Sequence, residues 1–372
     1  MLFVKFDHFR ISVARVVGAA VLLLAFFPCC GMDFYLWQRR HTPEVKTAVR
    51  EFYNNSSGRL YCIAGELEKS GNAVCIKPSD VIDMKRSAAV IRIHIGVLKK
   101  HSYRPDLIAQ KIVRLYEPWR LCKNLEIDLD IPERKFSFYA DLMNELRKSL
   151  PDTILSATVL PCHLKDRRAF AELADACDFY VLQVHGLNKE KGYWSIFDYT
   201  DSVKAVEQAK SFKRPFKIAL PLYCNNIDRN TFVKPDLQKV SDLAKNSPQV
   251  IGFRLGIPGD GNSLNWATAA AVCRGAGYQP ELSIEWLQQS NGAWILNVKN
   301  VGCFSEDVSL QIPSDLRKIM DDADVFSDAL FDRDCGVVKF RLPPAEEKIN
   351  VMWARFQENP NEKSLIIIKG NR

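Results

Sequence analysis

The sequence predicts an α/β protein, with a (β/α)8, TIM-like barrel over residues 32–278 followed by a small antiparallel β-sandwich over residues 279–372. Three observations predict this fold. Short β-rich segments alternate with helical segments, which implies parallel strands joined by crossover helices. Several of these segments are apolar on one parity and polar on the other, as a barrel lined by side chains requires. From about residue 279, strand-like segments follow one another with turn residues between them and little helix.

The repeating units can be placed one by one along the chain. The predicted strands are 34–39, 60–66, 90–95, 125–130, 155–160, 179–186, 217–223 and 251–256. The predicted helices are 43–54, 105–119, 136–150, 167–176, 202–211, 235–245 and 263–276, with only the weak candidate 79–85 between the second and third strands. Eight strand–helix units in about 245 residues fit one closed barrel. The later strand-like segments are 282–286, 293–298, 308–311, 336–341, 350–356 and 364–368, and Asn291-Gly292 is a typical hairpin turn.

Composition excludes several classes of protein. Of the 372 residues, 47% are apolar and 26% are charged, which is a globular profile and not a disordered or multi-span membrane one. The formal charge of +7 is spread along the chain, and its longest basic clusters are pairs such as Lys99-Lys100. Because nucleic-acid binders concentrate basic residues on one element, we predict no nucleic-acid partner.

The eleven cysteines follow no metal or redox spacing. No C-x-x-C is present, which excludes zinc ribbons, thioredoxin-like sites and haem attachment. Nine of the cysteines are scattered along the chain after residue 31, and most are expected to be small buried hydrophobic residues. A disulfide between Cys62 and Cys75 remains open.

Residues 1–31 have the pattern of an export signal or a membrane anchor. Basic residues precede an unbroken apolar run at 16–27, which is shorter than the roughly 20 residues that span a bilayer but suits a signal-peptide core. Cys29 and Cys30 follow this run and resemble a bacterial lipoprotein site, so both are lipidation candidates. The alternative is an uncleaved interfacial anchor. Either alternative predicts export with attachment to a membrane, on the periplasmic side or at the cell surface.

The strongest candidate site is the acidic fourth strand. Glu126, Asp128 and Asp130 alternate with apolar residues, and residues two apart on a strand share a face at roughly 6.6 Å. Repulsion among three inward carboxylates should raise at least one pKa and provide a general acid. Arg92 and Arg254, on other strands, could neutralise the deeper acids. The alternative is a buried acid–arginine network that only holds the barrel together.

Further polar and aromatic residues at the strand ends are predicted to position a ligand. Trp37 and Tyr223 point inward, and Trp194 lies on the loop after the sixth strand, where aromatic rings could stack on sugars. The opposite interpretation is that this loop is a lid packed against its own helix. The predicted substrate-binding residues are Trp37, Arg39, Glu66, Arg92, His94, Glu126, Gln183, His185, Trp194, Tyr223 and Arg254.

We predict neither a metal nor a cofactor. The histidines near strand ends, such as His94 and His185, lack a characteristic ligand spacing. No G-x-S-x-G elbow is present, which gives no support to a serine triad. The glycine-rich segment at 256–261 lacks the Lys-Ser/Thr of a P-loop and a full dinucleotide fingerprint.

Five ordered motifs resemble an uncharacterised bacterial family, domain of unknown function 3142. They are Tyr-Leu-Trp-Gln-Arg at 35–39, Leu-Glu-Ile-Asp-Leu-Asp at 125–130, Leu-Ser-Ala-Thr-Val-Leu-Pro at 155–161, Leu-Gln-Val-His at 182–185 and Ile-Ala-Leu-Pro-Leu-Tyr at 218–223. The resemblance covers the barrel and the C-terminal sandwich, which is nearly all of the chain after residue 31, and it implies no particular activity.

The acidic strand is also distantly similar to that of family 18 glycoside hydrolases, which ends in Asp-x-x-Asp-x-Asp-x-Glu with the Glu as general acid. Asp128 and Asp130 match the last two aspartates, and Pro132 stands where the Glu is expected. Asn124 or Glu126 would replace the first acid. This similarity implies Asp128, Asp130 and Glu133 as catalytic residues, with Asp130 or Glu133 as proton donor.

These observations together support one hypothesis and one alternative. The leading hypothesis is an exported barrel that acts on a cell-envelope or extracellular polysaccharide by carboxylate general acid/base chemistry. The alternative is a non-catalytic glycan-binding or scaffold lipoprotein that retains the barrel cleft.

Overall fold

The structure is a computed structural model. It describes residues 31–100, 104–190, 192–227, 232–278, 282–301, 304, 307–326, 329–342, 347–360 and 366–368. The predicted export segment, with Cys29 and Cys30, lies outside the described residues. Within them, no helix combines the length and the apolar character that crossing a membrane requires.

Eight parallel strands form a closed barrel. The strand β1 pairs with β2 on one side and with β8 on the other, where Phe34 lies opposite Leu60 and Gly252 respectively. This second pairing excludes an open sheet. The strands are β1 Asp33–Leu36, β2 Leu60–Leu67, β3 Ser87–Ile93, β4 Asn124–Asp128, β5 Ile154–Val159, β6 Phe179–Gln183, β7 Phe216–Pro221 and β8 Val250–Phe253.

Helices follow most of the strands, as predicted. In the described part of the chain they are α1 Pro43–Asn55, α2 Val97–Lys100, α3 Pro105–Tyr116, α4 Phe136–Ser149, α5 Arg167–Ala176, α6 Tyr199–Ser211, α7 Leu237–Lys245 and α8 Trp266–Cys273. The helix predicted at 79–85 is wrong: only the 3-10 turn Met84–Arg86 forms there, and Ala73–Cys75 adds a short antiparallel strand to β2. The helix predicted at 105–119 ends at Tyr116 and continues as the 3-10 turn Glu117–Cys122.

The alternation along the strands sorts side chains to two sides of the barrel wall. One parity, which includes Ile91 and Ile127, packs against the helices in the main hydrophobic core. The other parity points into the barrel, where Tyr35, Tyr61 and Val181 form a smaller buried cluster. Cys62 lies in the main core and Cys75 is exposed, and both are free thiols, so the disulfide left open by the sequence is not formed.

The chain after the barrel forms two four-stranded antiparallel sheets. Residues 320–325 and 329–332 were not predicted as strands; the first, Met-Asp-Asp-Ala-Asp-Val, has too few apolar residues for a periodic signal. Gly292 turns the first hairpin with a φ of +79°, a left-handed conformation that glycine adopts readily. The strands are β9 Leu282–Gln288, β10 Trp294–Asn300, β11 Asp307–Gln311, β12 Met320–Val325, β13 Ala329–Asp332, β14 Val337–Arg341, β15 Lys348–Phe356 and β16 Ile366–Ile368, with the helix α9 Ser314–Lys318 between β11 and β12. The sheet orders are β9-β10-β15-β12 and β13-β14-β11-β16.

Candidate functional site

A cavity of about 120 Å³ lies at the end of the barrel where the strands terminate. This is the face at which TIM-barrel active sites lie, because the loops after the strands converge there. The structure brings eight of the predicted site residues to this cavity: Trp37, Arg92, Glu126, Asp128, Asp130, Gln183, His185 and Tyr223. The lining residues that the sequence analysis did not name as site residues are Tyr35, Thr158, Ala219 and Phe253.

Glu126 is the deepest of the three acids and is fully buried. Its Oε1 accepts a hydrogen bond of 2.6 Å from the hydroxyl of Tyr35, and its Oε2 accepts one of 3.4 Å from Ser156. Burial raises the pKa of Glu126 from 4.5 to about 8, and the charge of Asp128 adds to this rise, while the Tyr35 hydrogen bond opposes it. At neutral pH this carboxyl is therefore largely protonated.

Asp128 lies one step nearer the opening and is 8% exposed. Its Oδ1 accepts a hydrogen bond of 3.0 Å from Thr158, and its Oδ2 lies 3.8 Å from Nε of Arg92. Burial and the neighbouring Asp130 raise the pKa of Asp128 from 3.8 to about 6, against the effect of Arg92. A carboxyl that titrates near pH 6 and reaches a cavity can exchange protons with a bound molecule.

Asp130 is exposed at the rim because β4 ends at Asp128 and the chain turns outward. Two contacts fix this turn. The backbone N–H of Leu129 donates to Thr158 over 3.3 Å, and Nε2 of His163 lies 2.6 Å from the carbonyl oxygen of Ile131. Glu133 follows in the 3-10 turn Glu133–Lys135, where it is exposed and is not among the residues that line the cavity.

A chain of ion pairs extends from Asp128 to the outside of the barrel. Arg92 lies 3.9 Å from Glu66, and Glu66 accepts two hydrogen bonds, of 2.5 and 2.7 Å, from Arg39. Arg92 therefore partly neutralises the acids of the fourth strand, as predicted.

The expected role of Arg254 is wrong. Arg254 binds Asp260 at 2.8 Å and is absent from the cavity wall. Neutralising the inward acids would require Arg254 to point into the barrel, but Ile251 and Phe253 face the barrel interior, and Arg254 follows the strand on the opposite parity.

The wall opposite the acids is aromatic and largely uncharged. His185 is 7% exposed, its Nδ1 lies 3.4 Å from the hydroxyl of Tyr223, and its ring centroid lies 4.7 Å from that of Phe253. Burial lowers the pKa of His185 to about 3, so the ring is neutral. Its buried Nε2 has no hydrogen-bond partner among the described residues. Trp37 packs edge-on against Phe253 at 5.2 Å.

Two other predicted residues lie away from the cavity. His94 is exposed just after β3, and its Nδ1 accepts a hydrogen bond from the backbone of Gly96. Trp194 lies in a hairpin formed by Asn188–Glu190 and Tyr193–Ser195, with the ammonium of Lys189 5.2 Å from its ring centroid. Among the described residues, no group of three His, Cys, Asp or Glu side chains is arranged to hold a metal ion.

Sequence reasoning could have found two of the missed residues. Tyr35 has the same parity on β1 as Trp37, and Thr158 faces the fourth strand from the inward parity of β5. Both signals are present in the local alternation. Phe253 could not be found in this way, because an inward Arg254 would place Phe253 on the outward parity of β8.

Residues 83–239 match the model of a family described as domain of unknown function (DUF3142). The predicted resemblance is confirmed over this segment. The DUF3142 match covers less of the chain than expected, because it begins just before β3 and ends in α7. It nevertheless contains most of the polar cavity residues, while Trp37 and Phe253 lie outside it. No match to the sequence was found among curated proteins.

Several solved structures resemble the chain at low sequence identity. The spore cortex-lytic enzyme SleL of Bacillus megaterium QM B1551 is 11% identical, with 62% of this chain and 72% of that chain covered and a TM-score of 0.46. A class V chitinase from Pseudomonas fluorescens Pf-5 is 10% identical, with 66% and 100% covered and a TM-score of 0.48. Active domain 2 of the thermostable chitinase from Pyrococcus furiosus is 13% identical, with 68% and 98% covered and a TM-score of 0.43. At such identities the likeness concerns the fold alone.

Proposed function

We propose that this protein is a glycoside-hydrolase-like barrel that binds an oligosaccharide or polysaccharide at the cavity and cleaves it by carboxylate general acid/base chemistry. The observation that carries the proposal is the pair of acids Asp128 and Asp130 at the cavity. One is buried, with a pKa raised to about 6, and the other is exposed at the rim. Glycosidic bonds are commonly cleaved by two carboxyl groups in different environments, one protonated and one ionised.

The two acids have different roles in this proposal. Because burial and the charge of Asp130 raise the pKa of Asp128 to about 6, Asp128 holds a proton under mildly acidic conditions. Asp130, the member that reaches the rim, passes this proton from Asp128 to the glycosidic oxygen. Asp128, left ionised by this transfer and held by Thr158 and Arg92, then stabilises the positive charge that develops on the sugar. Water attacks the anomeric carbon and returns a proton to the two acids, which completes the hydrolysis. Glu133 was an alternative donor, and its position away from the cavity wall favours Asp130.

The opposite wall orients the sugar. Neutral His185 and Gln183 offer hydrogen bonds to hydroxyl groups without introducing charge, and Tyr223 does the same beside them. Trp37 and Phe253 present aromatic rings, on which sugar faces stack. A buried nitrogen without a partner costs free energy until a ligand supplies one, so Nε2 of His185 favours a ligand with hydroxyl or carbonyl oxygens.

A second function, glycan binding without catalysis, is favoured by one observation. Pro132 occupies the position of the expected proton donor, and the neighbouring Glu133 is exposed away from the cavity. In this alternative the barrel retains the cleft and binds a glycan chain without cleaving it.

One experiment separates the two functions. The full-length chain in mild detergent is incubated with N-acetylhexosamine and neutral polysaccharides, beside Asp128→Asn/Asp130→Asn, and the products are identified by mass spectrometry. The matched control is Asp141→Asn/Asp242→Asn, which changes two exposed acids on helices. New oligosaccharides from the wild type and the control, but not from the cavity variant, support the hydrolase. Retention of a glycan without products supports the binding protein, and turnover that survives the cavity variant contradicts our site.

We also propose that the protein is exported and held at a membrane by residues 1–31. The sequence pattern alone supports this. Cell fractionation of the wild type should recover the chain in the membrane fraction after osmotic release of soluble periplasmic proteins. Mass spectrometry of Cys29→Ala, Cys30→Ala and the double variant would identify a lipidated cysteine, whereas an intact N-terminus in all of them would indicate an uncleaved anchor.

The boundary near residue 279 and a face-to-face sandwich in residues 279–372 are further proposals. They are supported by one hydrophobic cluster that draws buried residues from both antiparallel sheets, such as Leu296 and Leu310. Limited proteolysis that yields a stable fragment of about 90 residues would support them.

A further inference from the structure

A second cavity, of about 620 Å³, lies at the opposite end of the barrel, where the strands begin. Its wall combines the residues that lead into β1, β2, β3 and β8 with the turns that follow α7 and α8. This end of a TIM barrel is normally occupied by connections that serve stability. The proposed chemistry takes place at the other end of the barrel and gives this cavity no role.

The wall of this floor cavity carries a strong excess of positive charge. Its one carboxylate, Asp33, is already bound to the ammonium of Lys217 at 2.5 Å. Four further cations therefore lack a carboxylate within the wall. The charged lining residues are Arg59, Lys85, Arg86, Lys217, Arg274 and Asp33.

The excess cations differ in their hydrogen bonds. Arg59 donates to the carbonyl of Ser87 at 3.0 Å, and Arg86 donates to the carbonyls of Tyr53 and Ser56, so these guanidinium groups are held in place although no carboxylate among the described residues forms an ion pair with them. Lys85 and Arg274 are exposed and form no ion pair with another described residue.

Helix electrostatics account for only part of this cluster. Arg274 follows α8 directly, where the negative end of the helix dipole favours a cation. Arg86 donates to the carbonyls of Tyr53 and Ser56 at the C-terminal end of α1, so the dipole of that helix favours it as well. Arg59 and Lys85 are not explained in this way, and the mutual repulsion of the four cations costs free energy that a bound anion would offset. Arginine guanidinium groups and lysine ammonium groups are the side chains that commonly bind phosphate oxygens.

We propose that the floor cavity binds the phosphate group of a phosphate ester. The volume of about 620 Å³ exceeds what inorganic phosphate needs and lies within the range of organic-ligand pockets. Two sources offer the same chemistry: a soluble phosphorylated metabolite and the headgroup of an anionic phospholipid. Gly31 lines this cavity and is the last residue of the predicted export segment, so a lipid source would depend on the proposed membrane attachment.

The first arm of the test uses soluble ligands. The full-length chain in a phosphate-free, non-ionic detergent is titrated by calorimetry with glycerol 3-phosphate and, for comparison, with glycerol. We expect saturable binding of glycerol 3-phosphate alone, weakened at least tenfold in Lys85→Glu/Arg274→Glu. The matched control is Arg168→Glu/Lys204→Glu, which reverses two charges on exposed helix faces, and it should bind like the wild type. The milder Lys85→Gln/Arg274→Gln, checked by thermal unfolding, excludes misfolding as the cause.

The second arm identifies the source. The full-length chain is placed in bilayers of phosphatidylcholine with and without phosphatidic acid, and amide hydrogen exchange is measured at residues 57–59 and 84–87. Protection that requires phosphatidic acid and is lost in Lys85→Glu/Arg274→Glu supports a lipid headgroup, even without binding of glycerol 3-phosphate. Binding in the first arm alone supports a soluble ester. Absence of both signals, or signals unchanged by the double variant, would overturn the proposal while leaving the proposed sugar chemistry unaffected.

Discussion

Glu126 and Asp128 illustrate how position along one strand sets the properties of a carboxyl group. Both pKa values are raised chiefly by burial, because the barrel interior solvates a negative charge poorly. The deeper group receives a hydroxyl hydrogen bond from Tyr35 and remains largely neutral at pH 7. Asp128, the shallower group, has Arg92 nearby, and its pKa is about 6, compared with about 8 for Glu126.

Stability should depend on pH through Glu126. A raised folded-state pKa means that the folded protein binds this proton more tightly than the unfolded chain. The contribution of Glu126 to stability is therefore fully present below the usual pKa of 4.5 and is lost as the pH rises through about 8. Relative to Glu126→Gln, whose amide keeps an acceptor for Tyr35, the wild type should lose about 1 kcal/mol of unfolding free energy per pH unit between pH 5 and 8.

Urea denaturation at several pH values measures this difference. The exposed Glu172→Gln provides the control and should run parallel to the wild type. If the unfolding free energy of Glu126→Gln also varies with pH in parallel with that of the wild type, the carboxyl of Glu126 is not protonated in the folded state.

Arg92 should determine where Asp128 titrates. Its positive charge, 3.8 Å from the carboxylate, lowers the pKa of Asp128, so Arg92→Gln should move the titration above pH 6. The pH profile of turnover or of glycan binding is the measurement, with its midpoint displaced upward in the variant. Arg92→Lys keeps the charge and should restore much of the wild-type profile. A profile that is the same in wild type and Arg92→Gln would mean that another group controls it.

At the scale of elements, the loop after β4 depends on its neighbour for its shape. His163 lies in the 3-10 turn Pro161–Lys165 that follows β5, and it is 1% exposed. Its Nδ1 accepts from the backbone N–H of Leu160 at 3.1 Å, while Nε2 donates to the carbonyl of Ile131 at 2.6 Å. One side chain therefore joins two loops and fixes the turn that carries Asp130.

Replacing His163 by Phe tests this connection. The ring should still pack on Phe136, whose centroid lies 4.4 Å away, but the partly buried N–H of Leu160 and the buried carbonyl of Ile131 lose their partners. We expect a loss of roughly 2–4 kcal/mol of unfolding free energy, since each unpaired buried group costs about 1–3 kcal/mol. Urea denaturation measures the loss, and amide exchange at Leu160 should accelerate. His94→Phe, at an exposed position, is the control; equal stability of the two variants would contradict the connection.

At the scale of the whole molecule, the barrel depends on the pairing of its first and last strands. Phe34 on β1 lies opposite Gly252 on β8. A Cβ at Gly252 would lie 2.6 Å from the ring of Phe34 and 2.7 Å from the side chain of Leu222. Closure therefore requires a residue without a side chain at this position.

Gly252→Ala should weaken the closed barrel. We expect a loss of about 1–3 kcal/mol, which is typical of overpacking in a core. Thermal unfolding of the full-length chain measures it as a lower Tm. Gly186→Ala is a matched control at the end of β6, because its added Cβ would meet nothing within 4 Å. A Tm unchanged in both variants would show that the β1–β8 pairing tolerates a side chain.

Much of the fold could be predicted because local patterns determine it. All eight barrel strands overlap the predicted segments, since apolar alternation and the intervening helices are encoded within a few residues of each strand. The prediction was wrong where that signal is weak, as in the absent helix at 79–85. It missed β12 because a strand rich in aspartate carries little apolar periodicity.

The sequence by itself determined the order of the elements, the inward parity of the acidic strand and the identity of most polar cavity residues. Each of these follows from alternation along a single strand. Only the tertiary structure decided which side chains meet. Tyr35 donates a hydrogen bond to Glu126, Arg254 forms an ion pair with Asp260, and five cations surround the floor cavity. These contacts depend on strand register and on the paths of loops. Both arise from packing between distant parts of the chain, which no local pattern records.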